Sequence, residues 1–296
     1  MTAHQIATSQ SVVRDYVALA KPRIIVLLLF SALTGMFLAA EGTPEASLVL
    51  LVLGAGTLAS AGANALNHTI DRDIDRVMTR TRNRPVATGR IGARPALVFG
   101  TVLNALAFGL LTAYVNPLSA FLTLSATLFY VFVYTKALKR TTPQNIVIGG
   151  AAGAIPPMVG WTAVTGQIEL PALYLFAIVF FWTPPHFWAL ALTLKDDYAR
   201  AGIPMLPVVA GIEETKKAIF LYTLLVFGLT MMFFVTRTVG WIYMSASATL
   251  GLVFIFYAWR LMRGAGIGHA RGVFLYSMVY LVLLFGAVIV DSLVSF

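Results

Sequence analysis

Cysteine is absent from the 296 residues. That excludes disulfides, Cys-ligated zinc, Cys-ligated iron–sulfur clusters and thiol nucleophiles. Charge is scarce as well: Asp, Glu, Lys and Arg make up 11% of the chain, against 59% hydrophobic residues. Soluble domains carry about a quarter charged residues, so this balance points to a multi-span membrane protein. No Gly-x-Ser-x-Gly, Walker A or His-Glu-x-x-His sequence occurs, which leaves hydrolase readings without support. Residues 1–20 are polar and hold one Arg and Asp15. Neither a cleavable signal peptide nor an Arg-rich, acid-poor transit peptide is expected there.

What the chain does have is nine apolar stretches, at 24–40, 46–66, 95–115, 117–134, 144–163, 170–194, 218–236, 239–259 and 273–294. Each is near the ~20 residues that cross a bilayer. Lys21-Pro22, Arg94-Pro95, Asn116-Pro117 and Thr142-Pro143 mark their ends. Of the 21 Lys and Arg residues, all but Arg237 fall before the first stretch or in every second loop after it. The net charge of +9 is therefore a topology signal, and nucleic acid is not expected as a partner. The expected fold is an all-α integral membrane protein: one domain over residues 1–296, with a polar N-terminal segment at 1–20. Its N-terminus should be cytoplasmic and its C-terminus outside, in a prokaryotic inner membrane. The 2–3 and 6–7 loops are long and carry Asp71, Asp73, Asp75, Asp196, Asp197, Glu213 and Glu214. Long loops in a compact bundle usually carry function, so the chemistry should face the cytoplasm. Acidic loops after both the second and the sixth span suggest a four-helix unit used twice, plus a ninth helix.

The stretch NALNHTIDRDIDRVMTRTRNRP places Asn67, Asp71 and Asp75 at four-residue intervals. At 3.6 residues per turn these share one helix face, with Arg80 and Arg84 close behind. Stacked carboxylates repel unless a cation lies between them, and Mg²⁺ is usually held by a few carboxylates plus substrate phosphates. Asp73 falls off this face and is read as a structural member. A second acidic cap, Asp196 and Asp197 beside Lys195, Tyr198 and Arg200, follows the sixth span on the same side. Tyr134, Thr135, Lys136, Lys139 and Arg140 follow the fourth span, where cations could meet phosphate oxygens. His186, in FFWTPPHFWAL, is read as the one ionisable side chain inside a span, a position that defaults to function. Pro184 and Pro185 should kink that helix toward a cavity. It lies nine residues before Lys195, so about 14 Å deeper. Small residues in GGAAGA (149–154) suggest close helix packing. His4, His68 and His269 are read as surface residues. The residues alone favour a metal–diphosphate site for a phosphate headgroup with an apolar tail; the reading from another class is a transporter of an amphipathic anion.

Four segments, NHTIDRDIDRVMTRTRNRP, YTKALKRTTPQNIVIGGAAGAIPP, PPHFWALAL and DDYARAGIPMLPVV, resemble the UbiA-type intramembrane prenyltransferases. The last two are similar to the branch of that superfamily that modifies haem; the alternative is a sibling acting on an aromatic acid or a quinone precursor. The resemblance implies nine helices around a central cavity, Mg²⁺, and farnesyl transfer from farnesyl diphosphate to a vinyl group of haem B. It implies that Asn67, Asp71 and Asp75 form the first metal motif, with Asp196 and Asp197 as the second. Where many members have another Asp-x-x-x-Asp, this chain has Thr193 or Leu192 at the first position; of the adjacent acids, Asp197 is the expected ligand. Asn67, Asp71, Asp75 and Asp197 are then the catalytic set. Lys21, Arg23, Arg80, Arg84, Tyr134, Lys139 and Arg140 would bind diphosphate, and His186, Trp182 and Trp188 would line the haem pocket. Hand-over of product to downstream haem-processing or oxidase-assembly proteins is the expected onward step.

The one-sided distribution of Lys and Arg predicts that reporter fusions at the two ends of the chain report opposite sides of the membrane. Both ends on one side would mean an even number of spans.

Overall fold

A computed structural model describes residues 3–294. The chain forms α1 (Ala3–Ala20), α2 (Pro22–Ala39), α3 (Ala46–Ile70), α4 (Arg72–Val77), α5 (Pro85–Thr88), α6 (Ala93–Tyr114) and α7 (Pro117–Leu128). Helix α7 runs on through a π-helical stretch, Phe129–Leu138, into α8 (Lys139–Thr141). There follow α9 (Asn145–Thr165), α10 (Leu170–Thr193), α11 (Lys195–Arg200), α12 (Leu206–Val209), α13 (Gly211–Val235), α14 (Trp241–Arg263) and α15 (Ala270–Val294). Among the described residues, nine helices are long and apolar enough to cross a membrane, and they match the nine apolar stretches. The largest boundary differences are the fourth span, expected to end at 134 and observed to run to Thr141, and α13, expected from 218 and observed from Gly211. The first turns of α13 are polar but hold together through Lys216–Glu213 and Lys217–Glu214 pairs, spaced as helical neighbours.

Helices α2, α9, α10 and α15 form the middle of the bundle: α2 packs on α9 and α15, and α10 on α9 and α15. Helices α3, α6 and α7 close one side in chain order, and α13 and α14 the other. Chain-order neighbours thus pack in both halves, as a repeated unit requires. The halves are not closed alike, since α2 joins α9 while α10 joins α15.

Close approach of the central helices rests on small residues. A Cβ on Gly160 would sit 1.8 Å from the Ala32 carbonyl oxygen, and one on Gly35 would sit 2.1 Å from that of Pro157. Only glycine lets α2 and α9 touch backbone to backbone, the expected packing mode where lipid supplies no hydrophobic drive between helices. Neither proline pair breaks its helix: α9 runs through Pro156-Pro157 and α10 through Pro184-Pro185. Prolines at 184 and 185 cannot donate to the carbonyls of Phe180 and Phe181, so the pair leaves two carbonyls without an intrahelical donor in a continuous helix.

Other ionisable groups lie buried in the membrane helices, Asp291 and His68 among them, and overturn the reading of His186 as the lone one. Asp291, in α15, is buried. It accepts backbone N–H bonds from Gly240, Ile242 and Tyr243 at the start of α14, where a helix has unpaired donors and favours negative charge. His68 lies buried near the end of α3 and is not a surface residue.

Candidate functional site

Helix α3 passes into α4 with little disturbance: the Asp71 amide donates to the Asn67 carbonyl at 2.9 Å and the Asp75 amide to that of Asp71 at 2.8 Å. The i, i+4, i+8 ladder survives, and the three side chains stay aligned as the spacing requires. All three are buried, Asp71 completely at 0% exposure and Asp75 at 2%. A bare carboxylate is not tolerated in such a place, and each is met by a cation from elsewhere in the chain. Lys139 Nζ lies 2.5 Å from Asp71 Oδ2. Arg84 Nη1 contacts both oxygens of Asp75, at 2.8 and 2.9 Å. Lys21 Nζ donates to Asn67 Oδ1 at 2.9 Å.

The Asn67 amide group ties the set together, donating to Asp71 Oδ2 at 2.8 Å and to Thr135 Oγ1 at 3.2 Å. Thr135 belongs to the π-helical stretch and donates to the Tyr130 carbonyl at 2.8 Å. The wider winding carries Tyr130, Tyr134 and Lys139 toward α3; such stretches recur at functional sites. Tyr130 and Tyr134 stack at 5.7 Å, and a Cβ on Gly149 would lie 2.3 Å from the Tyr134 ring. Lys21 sits between α1 and α2 with φ 53° and ψ 60°. A non-glycine residue in this left-handed region costs about 1–3 kcal/mol, and before proline the helical regions are disfavoured further. The contact with Asn67 is what the strained backbone delivers.

At the rim, Arg140 forks onto Asp73 at 2.7 and 2.8 Å and donates to the Ile70 carbonyl. The Arg140 hydrogen bond holds the Asp73 carboxyl down at about 2. Asp73 thus serves the loop, as its off-face position predicts. The second acidic cap separates its two members: Asp196 is exposed and Asp197 buried. Asp197 pairs with Arg200 and accepts from the Thr79 hydroxyl and the backbone N–H groups of Thr79 and Arg80. Burial pushes its carboxyl up, but these bonds and Arg200 outweigh burial and leave it below the usual range. Asp197 therefore joins α11 to the loop after α4. Arg80 lies beside Tyr198, and Arg23 is exposed with no side-chain partner among the described residues.

The two caps were expected to converge; among the described residues, no three acidic or imidazole groups do so. Asn67, Asp71 and Asp75 nevertheless fit Mg²⁺, which takes one or two carboxylates and leaves its other positions to water and phosphate oxygens. Asp71 Oδ1 is buried with no hydrogen-bond partner, an oxygen ligand in waiting beside a ring of cations.

Deeper in the bundle, His186 Nδ1 lies 2.7 Å from Ser277 Oγ on α15. Ser277 gives its own proton to the Phe274 carbonyl at 2.7 Å. Its oxygen must therefore accept from His186, which puts the imidazole proton on Nδ1 and leaves the lone pair on Nε2. Trp182 stacks on the imidazole at 4.4 Å and Phe274 at 4.7 Å, while Trp182 Nε1 donates to the Ser277 carbonyl at 2.8 Å. Trp188 does not join them: two residues along a helix is more than half a turn, and it packs edge-on to Tyr222 of α13. Ser277 and Phe274 were not anticipated, since nothing distinguishes them from other residues of an apolar helix until α10 and α15 meet.

Residues 28–290 match the UbiA prenyltransferase family. A protoheme IX farnesyltransferase of Marinobacter nauticus is 52% identical over 282 residues, covering 95% of this chain and 93% of that protein. Among solved structures, a digeranylgeranylglyceryl phosphate synthase aligns with a TM-score of 0.79 at 19% identity, over 95% of this chain and 98% of that one. A UbiA homolog from Archaeoglobus fulgidus bound to GPP and Mg²⁺ aligns with a TM-score of 0.68 at 18% identity, over 93% of this chain and 99% of that one. At such identities these two likenesses speak for the fold alone.

Removing Lys139 leaves Asp71 buried with only the longer ion pair to Arg140, at 3.9 Å. Lys139→Ala should cost about 3–5 kcal/mol of stability, and adding Asp71→Asn to that variant should restore part of it. Thermal midpoints in detergent check this; equal midpoints for wild type and Lys139→Ala would show that the pair contributes nothing.

Proposed function

The chain belongs to the UbiA prenyltransferase family, and we propose that it transfers a farnesyl group from farnesyl diphosphate to a vinyl group of haem B. The observation that carries this reading is the 52% identity, across nearly the whole chain, to a protein named for farnesylating protoheme IX. The quinone-type alternative lacks such support. A transporter needs neither the Asn67–Asp71–Asp75 ladder nor its counter-charges.

Asn67, Asp71 and Asp75 would hold Mg²⁺, which when bound supplies Lewis-acid neutralisation of the departing diphosphate. Lys139, Arg84 and Lys21, now paired with those same groups, turn to the phosphate oxygens and stabilise the charge that develops as the C–O bond breaks. Tyr134 adds a hydroxyl beside them, and Arg80 and Arg140 sit at the rim. The bond's electron pair leaves with diphosphate. The vinyl π electrons then form the new carbon–carbon bond, and water captures the remaining cation with loss of a proton. The apolar helices keep water from the allylic cation before that bond forms, and aromatic faces such as Phe181 and Trp182 attract it. His186 offers its Nε2 lone pair to the haem iron, with Ser277 holding the tautomer. Asp197 acts by closing the 6–7 loop onto the 2–3 loop.

The Lys and Arg distribution supports a site facing the cytoplasm, and the similarity to a bacterial protein supports a prokaryotic inner membrane. The bundle core that the helices share supports reading residues 1–296 as a single domain. The greasy product favours hand-over to haem-processing or oxidase-assembly partners at the membrane.

Purified protein given haem B, farnesyl diphosphate and Mg²⁺ should release diphosphate and yield haem carrying a hydroxyethylfarnesyl group by mass spectrometry. Asp71→Ala and Asp75→Ala should lose turnover and Asp73→Ala much less. Absence of that product, or near-normal activity in both of the first two variants, would sink the assignment.

His186→Ala should weaken haem binding much more than farnesyl diphosphate binding. Ser277→Ala should shift the bound-haem spectrum, and Ser277→Thr should restore it. Unchanged haem affinity, spectrum and turnover in a folded His186→Ala protein would return the residue to a structural role.

A further inference from the structure

His68 has no role in the reaction as derived above, yet it stands in the middle of its charged network. It follows Asn67 and precedes Asp71 by three residues, so it lies on the adjoining strip of the α3 face. Its side chain is 2% exposed. Both ring nitrogens are buried and neither has a hydrogen-bond partner. An imidazole, whatever its proton count, owns at least one N–H donor. A buried donor with no acceptor is costly, and native proteins rarely keep one without cause. The cations Lys21, Arg84 and Lys139 act on it and cannot accept its hydrogen bond; the Asp71 and Asp75 carboxylates of the same network are held by Lys139 and Arg84 and reach neither ring nitrogen. The acceptor that the position lacks is therefore a group from outside the chain, and three cations select a negatively charged one.

We propose that His68 is a further substrate-binding residue, donating an imidazole N–H to an oxygen of the diphosphate that Lys21, Arg84 and Lys139 neutralise. This rests on the prenyl diphosphate reading of the site. The three cations supply charge without fixed direction, since ammonium groups rotate and Arg84 is shared with Asp75. An imidazole is planar and its donor points one way. His68 thus adds orientation: it fixes which phosphate oxygen faces the ladder, while the cations set how strongly the anion is held. The neighbouring Asp71 Oδ1 has no hydrogen bond and only the distant Arg140 guanidinium, at 3.9 Å, where His68 lacks an acceptor altogether. A metal–diphosphate pair satisfies both with one ligand.

The test is calorimetric titration of the purified protein, free of haem, with inorganic diphosphate and Mg²⁺, alongside a separate haem titration by absorbance. His68→Ala should weaken diphosphate binding about ten- to a hundredfold, as expected for a hydrogen bond to a charged group, and leave haem binding unchanged. His68→Gln, which keeps an N–H at similar reach, should recover most of the loss. In the wild-type protein the His68 imidazole N–H resonance, assigned by its absence in His68→Gln, should move on adding diphosphate; this reading stands even where His68→Ala does not fold. Diphosphate binding that depends on Lys139 but not on His68, with an unmoved resonance, would overturn the proposal and leave the prenyl diphosphate reading intact. Wild-type protein that binds no diphosphate would overturn both. Loss of haem binding in place of diphosphate binding would assign His68 to a haem carboxylate and overturn the proposal.

Discussion

Two carboxylates buried at the end of a membrane helix impose the constraint on which the rest of the site depends. Charge at that depth is tolerated only when paired, and no cation is available on the ladder itself. The partners come from three distant segments: Lys21 before the first membrane helix, Arg84 from the 2–3 loop and Lys139 from the end of the fourth span. Each arrives by a feature with no other evident purpose. Lys21 takes a left-handed backbone before a proline. Lys139 is delivered by a π-helical stretch that runs on into α8. Arg84 closes a loop whose other side is held by Arg76 on the Ala87 carbonyl. Electrostatic compensation thus dictates local geometry in three places, and those places make the site.

The same compensation constrains how ligands enter. Diphosphate without its metal would draw Lys21, Arg84 and Lys139 away and leave Asp71 and Asp75 bare. Metal without diphosphate would occupy the carboxylates and strand three cations. Only the two together exchange partners while the buried charge stays balanced. A site arranged in this way favours the intact metal–diphosphate complex over either component, and it returns to an internally paired state once the product complex leaves.

Much of the fold is written as apolar run length, punctuated by proline, and the nine runs became nine helices. The boundaries moved where charge is locally satisfied. Helix α3 extends four residues past its apolar run, to Ile70, and α13 begins seven residues before its own, at Gly211. A hydropathy reading stops at the first charged residues, whereas the helix continues when those residues pair one turn apart or reach a buried partner. The ladder of Asn67, Asp71 and Asp75 was legible because its order is local, repeating with the helix itself. Ser277 and the role of Asp197 were not, because each is defined by a meeting of helices: His186 and Ser277 lie 91 residues apart in the chain, and Asp197 finds its donors at Thr79 and Arg80. Trp188 misled for the converse reason. It is near His186 in sequence, but helical rotation puts it on another face.

The site has two ends because its two substrates have opposite demands. Diphosphate needs fixed charge and a metal, and these collect at the rim, where the 2–3 and 6–7 loops can be polar. An allylic cation needs water kept away, and a haem needs a lone pair and flat surfaces, and these lie in α10 and α15, about 14 Å deeper. His186 can serve there because Ser277 fixes its proton and the stacked rings of Trp182 and Phe274 hold its plane. An imidazole free to flip would present N–H and lone pair by turns. Ser277 accepts from one nitrogen and spends its own proton on the Phe274 carbonyl, so only one tautomer satisfies the chain of bonds. The polar chemistry of the rim needs many groups held by charge; the apolar chemistry of the interior needs one group held by geometry.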